Sequence, residues 1–293
     1  MLTIAGSDSG GGAGIQADLK AFARCGVHGM SAITAITAQN TLAVTGVHQV
    51  PPEMVLAQVR AVVSDIGVDA VKVGMLGSAE VALAVAQALD ELPSGTPIVV
   101  DPVMVAESGA RLLAADAQEA LVREILPRTS VLTPNVPEAR VLAGGRLQPG
   151  PIDGAGVESR AGEDSAGEGS AGEVLADEDA EMEALARAVL ALGPRVVVLT
   201  GGHRARAADL FLDPSDGSMV LIEGERYPDG AAHGSGCTHS SLLAAQLALG
   251  YTPLEAARRA RVLAGEAVAH GLRDIGAGAG PVDVIGLAAL RGS

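Results

Sequence analysis

The chain has 293 residues, 48% of them hydrophobic and drawn mostly from Ala, Val and Leu, enough for one large α/β core. A formal net charge of −15 argues against nucleic acid or an anionic membrane as a partner, and two Phe, two Tyr and no Trp argue against a base-stacking platform. The two cysteines, Cys25 and Cys237, lie far apart and form no CxxC pattern, which points away from a disulfide framework and toward a reducing compartment.

Leu2 to Ala5 reads as a short buried strand. It is too short for a signal sequence and no basic residue precedes it. No uncharged apolar stretch reaches transmembrane length, so a cytoplasmic protein is expected. The strand opens into Gly6-Ser7-Asp8-Ser9-Gly10-Gly11-Gly12-Ala13-Gly14, and a helix follows with Ile15, Leu19 and Phe22 on one face. The layout is that of a phosphate loop, but the Lys-Ser/Thr of a P-loop is absent and the glycines do not fit GxGxxG. So much glycine is conformationally costly, and it suits a loop whose backbone must approach a small ligand.

Met30 to Ala38 reads as a strand ending in Gln39-Asn40-Thr41. The Gln39 amide offers one acceptor and two donors, which suits the edge of an aminopyrimidine or pyridine ring. Pro51-Pro52-Glu53 opens a helix to about Ile66. Ala70 to Val73 is the next strand, then Gly74-Met75-Leu76-Gly77, and Ser78 caps a helix to about Leu92. Pro97 to Val100 ends in Asp101-Pro102-Val103, and Asp116 starts a helix to about Leu126. Val131-Leu132 ends in Thr133-Pro134-Asn135-Val136-Pro137-Glu138. This alternation predicts a parallel, doubly wound sheet whose carboxyl edge carries the site.

Residues 146–181 change character. The run from Gly162 to Glu173 is acidic and of low complexity, and it cannot bury enough apolar surface to order itself. A disordered insertion at about 150–176 within a single domain over 1–293 is expected. The pattern then resumes with a helical stripe through Met182, Leu185, Ala186 and Val189 and a strand at Val196 to Leu199, ending in Thr200-Gly201-Gly202-His203. Asp209 to Leu212 and Met219 to Ile222 read as an antiparallel hairpin.

A Pro228-Asp229-Gly230 turn leads to His233-Gly234-Ser235-Gly236-Cys237-Thr238-His239-Ser240 and a long apolar helix. Glycines at a helix start present free backbone N–H groups, which together with the helix dipole bind anions. Cys237 would sit in the first turn, where the dipole lowers a thiol pKa. Pro253 opens a last long helix, with Ala256, Ala260, Leu263 and Ala267 expected inward and Arg258 and Arg261 outward.

Several of these motifs together resemble the hydroxymethylpyrimidine/phosphomethylpyrimidine kinases of thiamine biosynthesis. They are Ile4-Ala5-Gly6-Ser7-Asp8, Gly11 to Lys20, Ala38-Gln39-Asn40-Thr41, Val73-Gly74-Met75-Leu76, Thr133 to Ala139, Gly201-Gly202-His203 and His233 to Thr238. The resemblance implies a ribokinase-like three-layer α/β sandwich with a central, mostly parallel sheet. It also implies transfer of the ATP γ-phosphoryl group to 4-amino-5-hydroxymethyl-2-methylpyrimidine and then to its monophosphate, with Mg²⁺ as cofactor, in a homodimer.

By the same resemblance Gln39 reads the aminopyrimidine edge, and Gly6, Asp18, Met75 and Val103 line the ring pocket. Asn135 and Glu138 hold Mg²⁺ with help from Asp101. Thr200, Gly202 and Asn135 face the nucleotide. Gly234, Ser235, Gly236 and Cys237 form the anion hole, with a Cys237 thiolate as the base. Two positions depart from the family pattern: Thr200 stands where a phosphate-contacting lysine is common, and His239 where an apolar residue is common. Lys72 and Arg111 are further candidates for neutralising phosphate. Pyridoxal or pyridoxine kinase, on the same fold, is the alternative reading.

Overall fold

A computed structural model describes residues 1–105, 114–144, 171–202, 207–227 and 230–291. Nine strands form one sheet in the order β3-β2-β1-β4-β5-β6-β7-β8-β9. They are β1 (Leu2–Ser7), β2 (Met30–Gln39), β3 (Val44–Gln49), β4 (Val71–Val73), β5 (Ile98–Val100), β6 (Val131–Leu132), β7 (Val196–Leu199), β8 (Ala208–Asp213) and β9 (Ser218–Glu223). Strands β2, β1, β4, β5, β6 and β7 run parallel, as the alternation with helices requires. β8 and β9 form the expected hairpin beside β7.

β3 has no counterpart in the sequence reading. It pairs antiparallel with β2 at the sheet edge, and its Val-Thr-Gly-Val-His-Gln is partly or wholly exposed throughout, so no apolar face betrays it.

Helices cover both faces. On one lie α1 (Gly14–Arg24), α7 (Ser235–Ala248) and α8 (Pro253–Ala269), packed on Val99, Val131, Val196, Val198 and Phe211. On the other lie α2 (Pro52–Asp65), α3 (Ala79–Asp90), α4 (Ala115–Ala120), α5 (Val136–Leu142) and α6 (Ala171–Leu190), packed on Leu2, Ile4, Val71, Val73, Val100 and Val197. A short α9 (Leu287–Arg291) follows. Side chains alternate along a strand, so Thr3 and Lys72 turn to the α1/α7 face. That alternation places a lysine under the start of α7.

The acidic run expected to be an insertion lies mostly outside the described residues. Its expected end at about 176 is too late, because α6 already begins at Ala171. Strand order reverses direction about β1, whose neighbours are β2 and β4. The carboxyl ends of β1 and β4 therefore flank the crevice where open α/β sheets take ligands.

Candidate active site

A cleft of about 450 Å³ runs along this carboxyl edge. At one end Gly6, Met75, Val103, Thr37 and Gln39 line it. Gly6 packs beside Met75, where a Cβ would stand 3.4 Å from the sulfur in ordinary contact, and its bare backbone and the thioether together shape an apolar wall. Gln39 is pinned through its backbone: its N–H donates to Ser9 Oγ at 2.8 Å and its carbonyl accepts from the same hydroxyl at 2.6 Å. Its side-chain amide lies 3.3 Å from Thr37 Oγ1, whose proton goes to the Ser7 carbonyl at 2.7 Å and whose oxygen can take an amide N–H.

At the centre lies the start of α7. Gly234, with φ of 80°, is its N-cap, and a Cβ there would collide with the Gly12 carbonyl. Only glycine lets the two glycine loops touch. The Ser235 N–H donates to Ala232 O, whereas the N–H groups of Gly236 and Cys237 find no acceptor among the described residues. They are the orphan donors of a helix start, aimed into the cleft.

Asp8, passed over in the sequence as one more loop residue, organises the first loop. Its carboxylate accepts from the N–H groups of Gly10 (2.8 Å), Gly12 (2.9 Å) and Ala13 (2.8 Å), and His233 Nε2 lies 3.0 Å from Oδ2. Burial works to raise the Asp8 carboxyl, but the His233 contact and the backbone donors outweigh it and hold it below its ordinary value. An Asp two residues ahead of a glycine run is an Asx-turn signal in the sequence.

Beneath α7 lies a buried charge cluster. Asp18 was expected to line the ring pocket; it does not. It is fully buried below the cleft and accepts from Lys72 Nζ (2.9 Å), Thr3 Oγ1 (2.6 Å) and Ser241 Oγ (2.6 Å). Lys72, also fully buried, has its ammonium 3.9 Å from Asp101 Oδ2, so it neutralises these carboxylates rather than standing free for a phosphate. Burial favours its neutral form, yet Asp18, Cys237 and Asp101 together hold the lysine charged.

Cys237 keeps part of its surface open to the cleft. The expected low thiol pKa is not found. Desolvation pushes the thiol up to about 12, with Asp101 and Asp18 adding to the rise and Lys72 and the Gly14 N–H opposing it. Burial of the thiol is the main reason the helix-start rule fails, and the two nearby carboxylates add to it against the pull of Lys72.

Asn135 and Glu138 form a capping box on α5: Asn135 Oδ1 accepts from the Glu138 N–H at 2.8 Å, and Glu138 Oε2 from the Asn135 N–H at 3.0 Å. Glu138 is 8% exposed. Burial first, then the Asp101 charge, raises its carboxyl well above the usual range, and Asp101 is likewise raised, chiefly by burial. Two buried carboxylates that repel each other at a cleft wall fit a divalent cation. Among the described residues no three His, Cys, Asp or Glu side chains converge as a full cage. One or two carboxylates, with water and phosphate oxygens completing the shell, is the Mg²⁺ pattern.

Past α7 the cleft continues along Thr200, Gly202, Asp209, His239 and Arg261 to Tyr227, Ala264, Gly265 and Val268. Arg261 was expected outward and is not. Its guanidinium Nη2 donates to Ala207 O at 2.6 Å and Nη1 lies 3.5 Å from Asp209 Oδ1. The buried stripe of α8 runs through Ala257, Ala260, Ala264 and Ala267, and Arg261 lies on it, one turn after Ala257. His203, Arg111 and the Pro228-Asp229 part of the turn lie outside the described residues.

Thus Gly6, Gln39, Met75, Val103, Asp101, Asn135, Glu138, Thr200, Gly202, Gly234, Ser235, Gly236 and Cys237 converge on one cleft, and Asp18 supports it from below. The family model described as phosphomethylpyrimidine kinase matches residues 8–152 and 171–283. A hydroxymethylpyrimidine/phosphomethylpyrimidine kinase of Rhizobium meliloti is 43% identical over 284 residues, covering 96% of this chain and 95% of the relative. A thiamine biosynthesis bifunctional protein of Geobacter sulfurreducens is 40% identical over 287 residues, 97% of this chain and 52% of that longer protein. Among solved structures, the pyridoxal kinase of Staphylococcus aureus in complex with AMP-PCP and pyridoxal superposes with a TM-score of 0.76 at 30% identity, covering 97% of this chain and 92% of that one. With both long segments matched and the sheet, loops and cleft in place, the chain belongs to the phosphomethylpyrimidine kinase family.

Proposed function

We propose that this protein is an ATP-dependent kinase that phosphorylates 4-amino-5-hydroxymethyl-2-methylpyrimidine and then its monophosphate, a step in making thiamine diphosphate. The observation that carries the reading is one cleft joining an amide beside an apolar wall, Gln39 with Gly6 and Met75, to the unclaimed N–H groups of Gly236 and Cys237. The pyrimidine ring lies on the wall with Gln39 on its amino edge and its hydroxymethyl toward Cys237. The Gly236 and Cys237 N–H groups take up charge developing on the transferring phosphoryl.

Only the thiolate of Cys237 can accept the hydroxyl proton, so the thiol, pushed up to about 12, first gives its own proton to solvent and the thiolate then takes the hydroxyl proton late. A loose transition state makes little demand on the nucleophile, and the proton becomes acidic only as the new P–O bond forms. Glu138 and Asp101, with Asn135, would hold Mg²⁺, which when bound neutralises charge on the phosphate oxygens. Lys72 offsets one of the two carboxylate charges, Asp18 and Asp101, on the floor of the cleft. The proposal includes a cytoplasmic homodimer. Among the described residues no helix is long and apolar enough to cross a membrane.

An ADP-release assay with Mg-ATP, offering the pyrimidine, its monophosphate and pyridoxal, tests the reading. Turnover of both pyrimidines with little on pyridoxal is expected. Preference for pyridoxal would overturn the assignment of Gln39 and the ring wall, and would favour the second reading that the Staphylococcus aureus kinase suggests.

A further inference from the structure

At the β8 end of the cleft, three ionisable side chains from three elements meet under partial mismatch. Asp209 of β8 is buried, with its Oδ1 accepting from the Gly201 N–H at 3.2 Å and lying 3.5 Å from Arg261 Nη1. His239 of α7, 5% exposed, brings Nε2 to 3.3 Å from Asp209 Oδ2, yet neither atom is aligned for a hydrogen bond. His239 Nδ1 and Arg261 Nε likewise find no partner among the described residues. Orphaned polar groups at this depth carry a desolvation cost that a packed protein ordinarily avoids. These are not sealed in the core: Asp209, His239 and Arg261 all line the cleft.

Asp209 faces two basic side chains and an amide, and the Arg261 Nε–H is a donor with no acceptor among the described residues; the neutral His239 ring carries one donor and one acceptor, and the tautomer with Nδ1–H adds a second spare donor. A ligand satisfying these donors must bring acceptor oxygens. The cluster lies on the far side of the α7 start from Gln39, and His239 is one helical turn on from Ser235, so an anion seated at Gly236 and Cys237 reaches it by extending along the cleft.

We propose that Arg261 and His239, positioned by Asp209, are phosphate-binding residues that hold the polyphosphate chain of the nucleoside triphosphate on the side away from the transferring group. This inference rests on the kinase reading. It names basic contacts for a site where, among the described residues, the β7 end offers the hydroxyl of Thr200 and the backbone of Gly202. Arg261 keeps its Nε–H for a phosphate oxygen while Nη2 and Nη1 turn to Ala207 O and Asp209, whose carboxylate holds both basic groups in the cleft wall rather than in solvent.

Calorimetric titration of wild type, Arg261→Gln and His239→Gln with adenosine, AMP, ADP and ATP tests it. Unfolding midpoints are recorded in parallel. For each variant the affinity loss is expected to grow with the number of phosphates, reaching roughly 10- to 100-fold for ATP and staying near onefold for adenosine. Because Arg261→Gln leaves Asp209 with less counter-charge, a double variant, Asp209→Asn with Arg261→Gln, gives the same readout should the single variant fold poorly. Equal loss for adenosine and ATP would place the cluster at the nucleoside and overturn the proposal, as would unchanged ATP binding in folded variants. If the wild type binds none of the four, the kinase reading itself fails, a result separable from the others.

Discussion

Replacing Lys72 by Met tests whether the charge cluster under α7 governs both stability and turnover. The side chain is fully buried, and methionine retains most of its apolar stem, so packing changes little while the ammonium is lost. Two carboxylates then lose their counter-ion: Asp18 at 2.9 Å and Asp101 at 3.9 Å. Asp18 keeps its hydroxyl donors Thr3 and Ser241, and Asp101 keeps Ser240 at 3.2 Å, so the loss is partial.

Removing one partner of a buried pair costs about 3–5 kcal/mol, which for a domain of this size lowers the melting temperature by roughly 5–8 °C. The pH dependence has a definite sign. Burial already raises the Asp101 carboxyl and Lys72 pulls it back, so the variant raises it further. A carboxyl whose folded pKa lies above its unfolded value contributes stability at low pH and loses it as pH rises through the folded pKa. The deficit against wild type is therefore largest near pH 8 and shrinks toward pH 4–5. Urea unfolding at both ends of that range measures it. A loss under about 1 kcal/mol that does not change with pH would refute the counter-ion role.

Cys237→Ala is expected to remove most turnover while leaving pyrimidine binding and the melting temperature near wild type; near-normal turnover would refute its role as proton acceptor. With the thiol pushed up to about 12, wild-type turnover limited by chemistry should climb through pH 7–9, and the alanine variant should lose that climb. The family match breaks between residues 152 and 171, across the acidic run. Deleting 154–170 should leave activity and melting temperature close to wild type, and a large loss in either would show that the run takes part in the fold or the site.

The chain by itself determined the layered α/β plan. Apolar runs such as Val71–Val73 and Val196–Leu199, spaced by helical stripes, can be satisfied only by a sheet covered on both faces. It also determined the anion loop, because Gly234 and Gly236 ahead of a long helix have a local meaning that needs no tertiary context. The tertiary structure alone decided how charges meet.

Asp18 reads locally as one polar residue on a helix, and only the approach of β4 and α7 turns it into the partner of Lys72 and Ser241. The Cys237 thiol is raised first by its burial in the folded protein and then by carboxylates more than 100 positions away in sequence, Asp101 and Asp18, so a rule for helix starts predicts the wrong direction. Arg261 shows the same limit. Its place on a small-residue stripe is periodic and legible, but its burial is tolerable only because Asp209 arrives from another element at 3.5 Å. Local pattern fixes which face a residue occupies. Electrostatics is a sum over everything that faces it, and that sum exists only once the chain has folded.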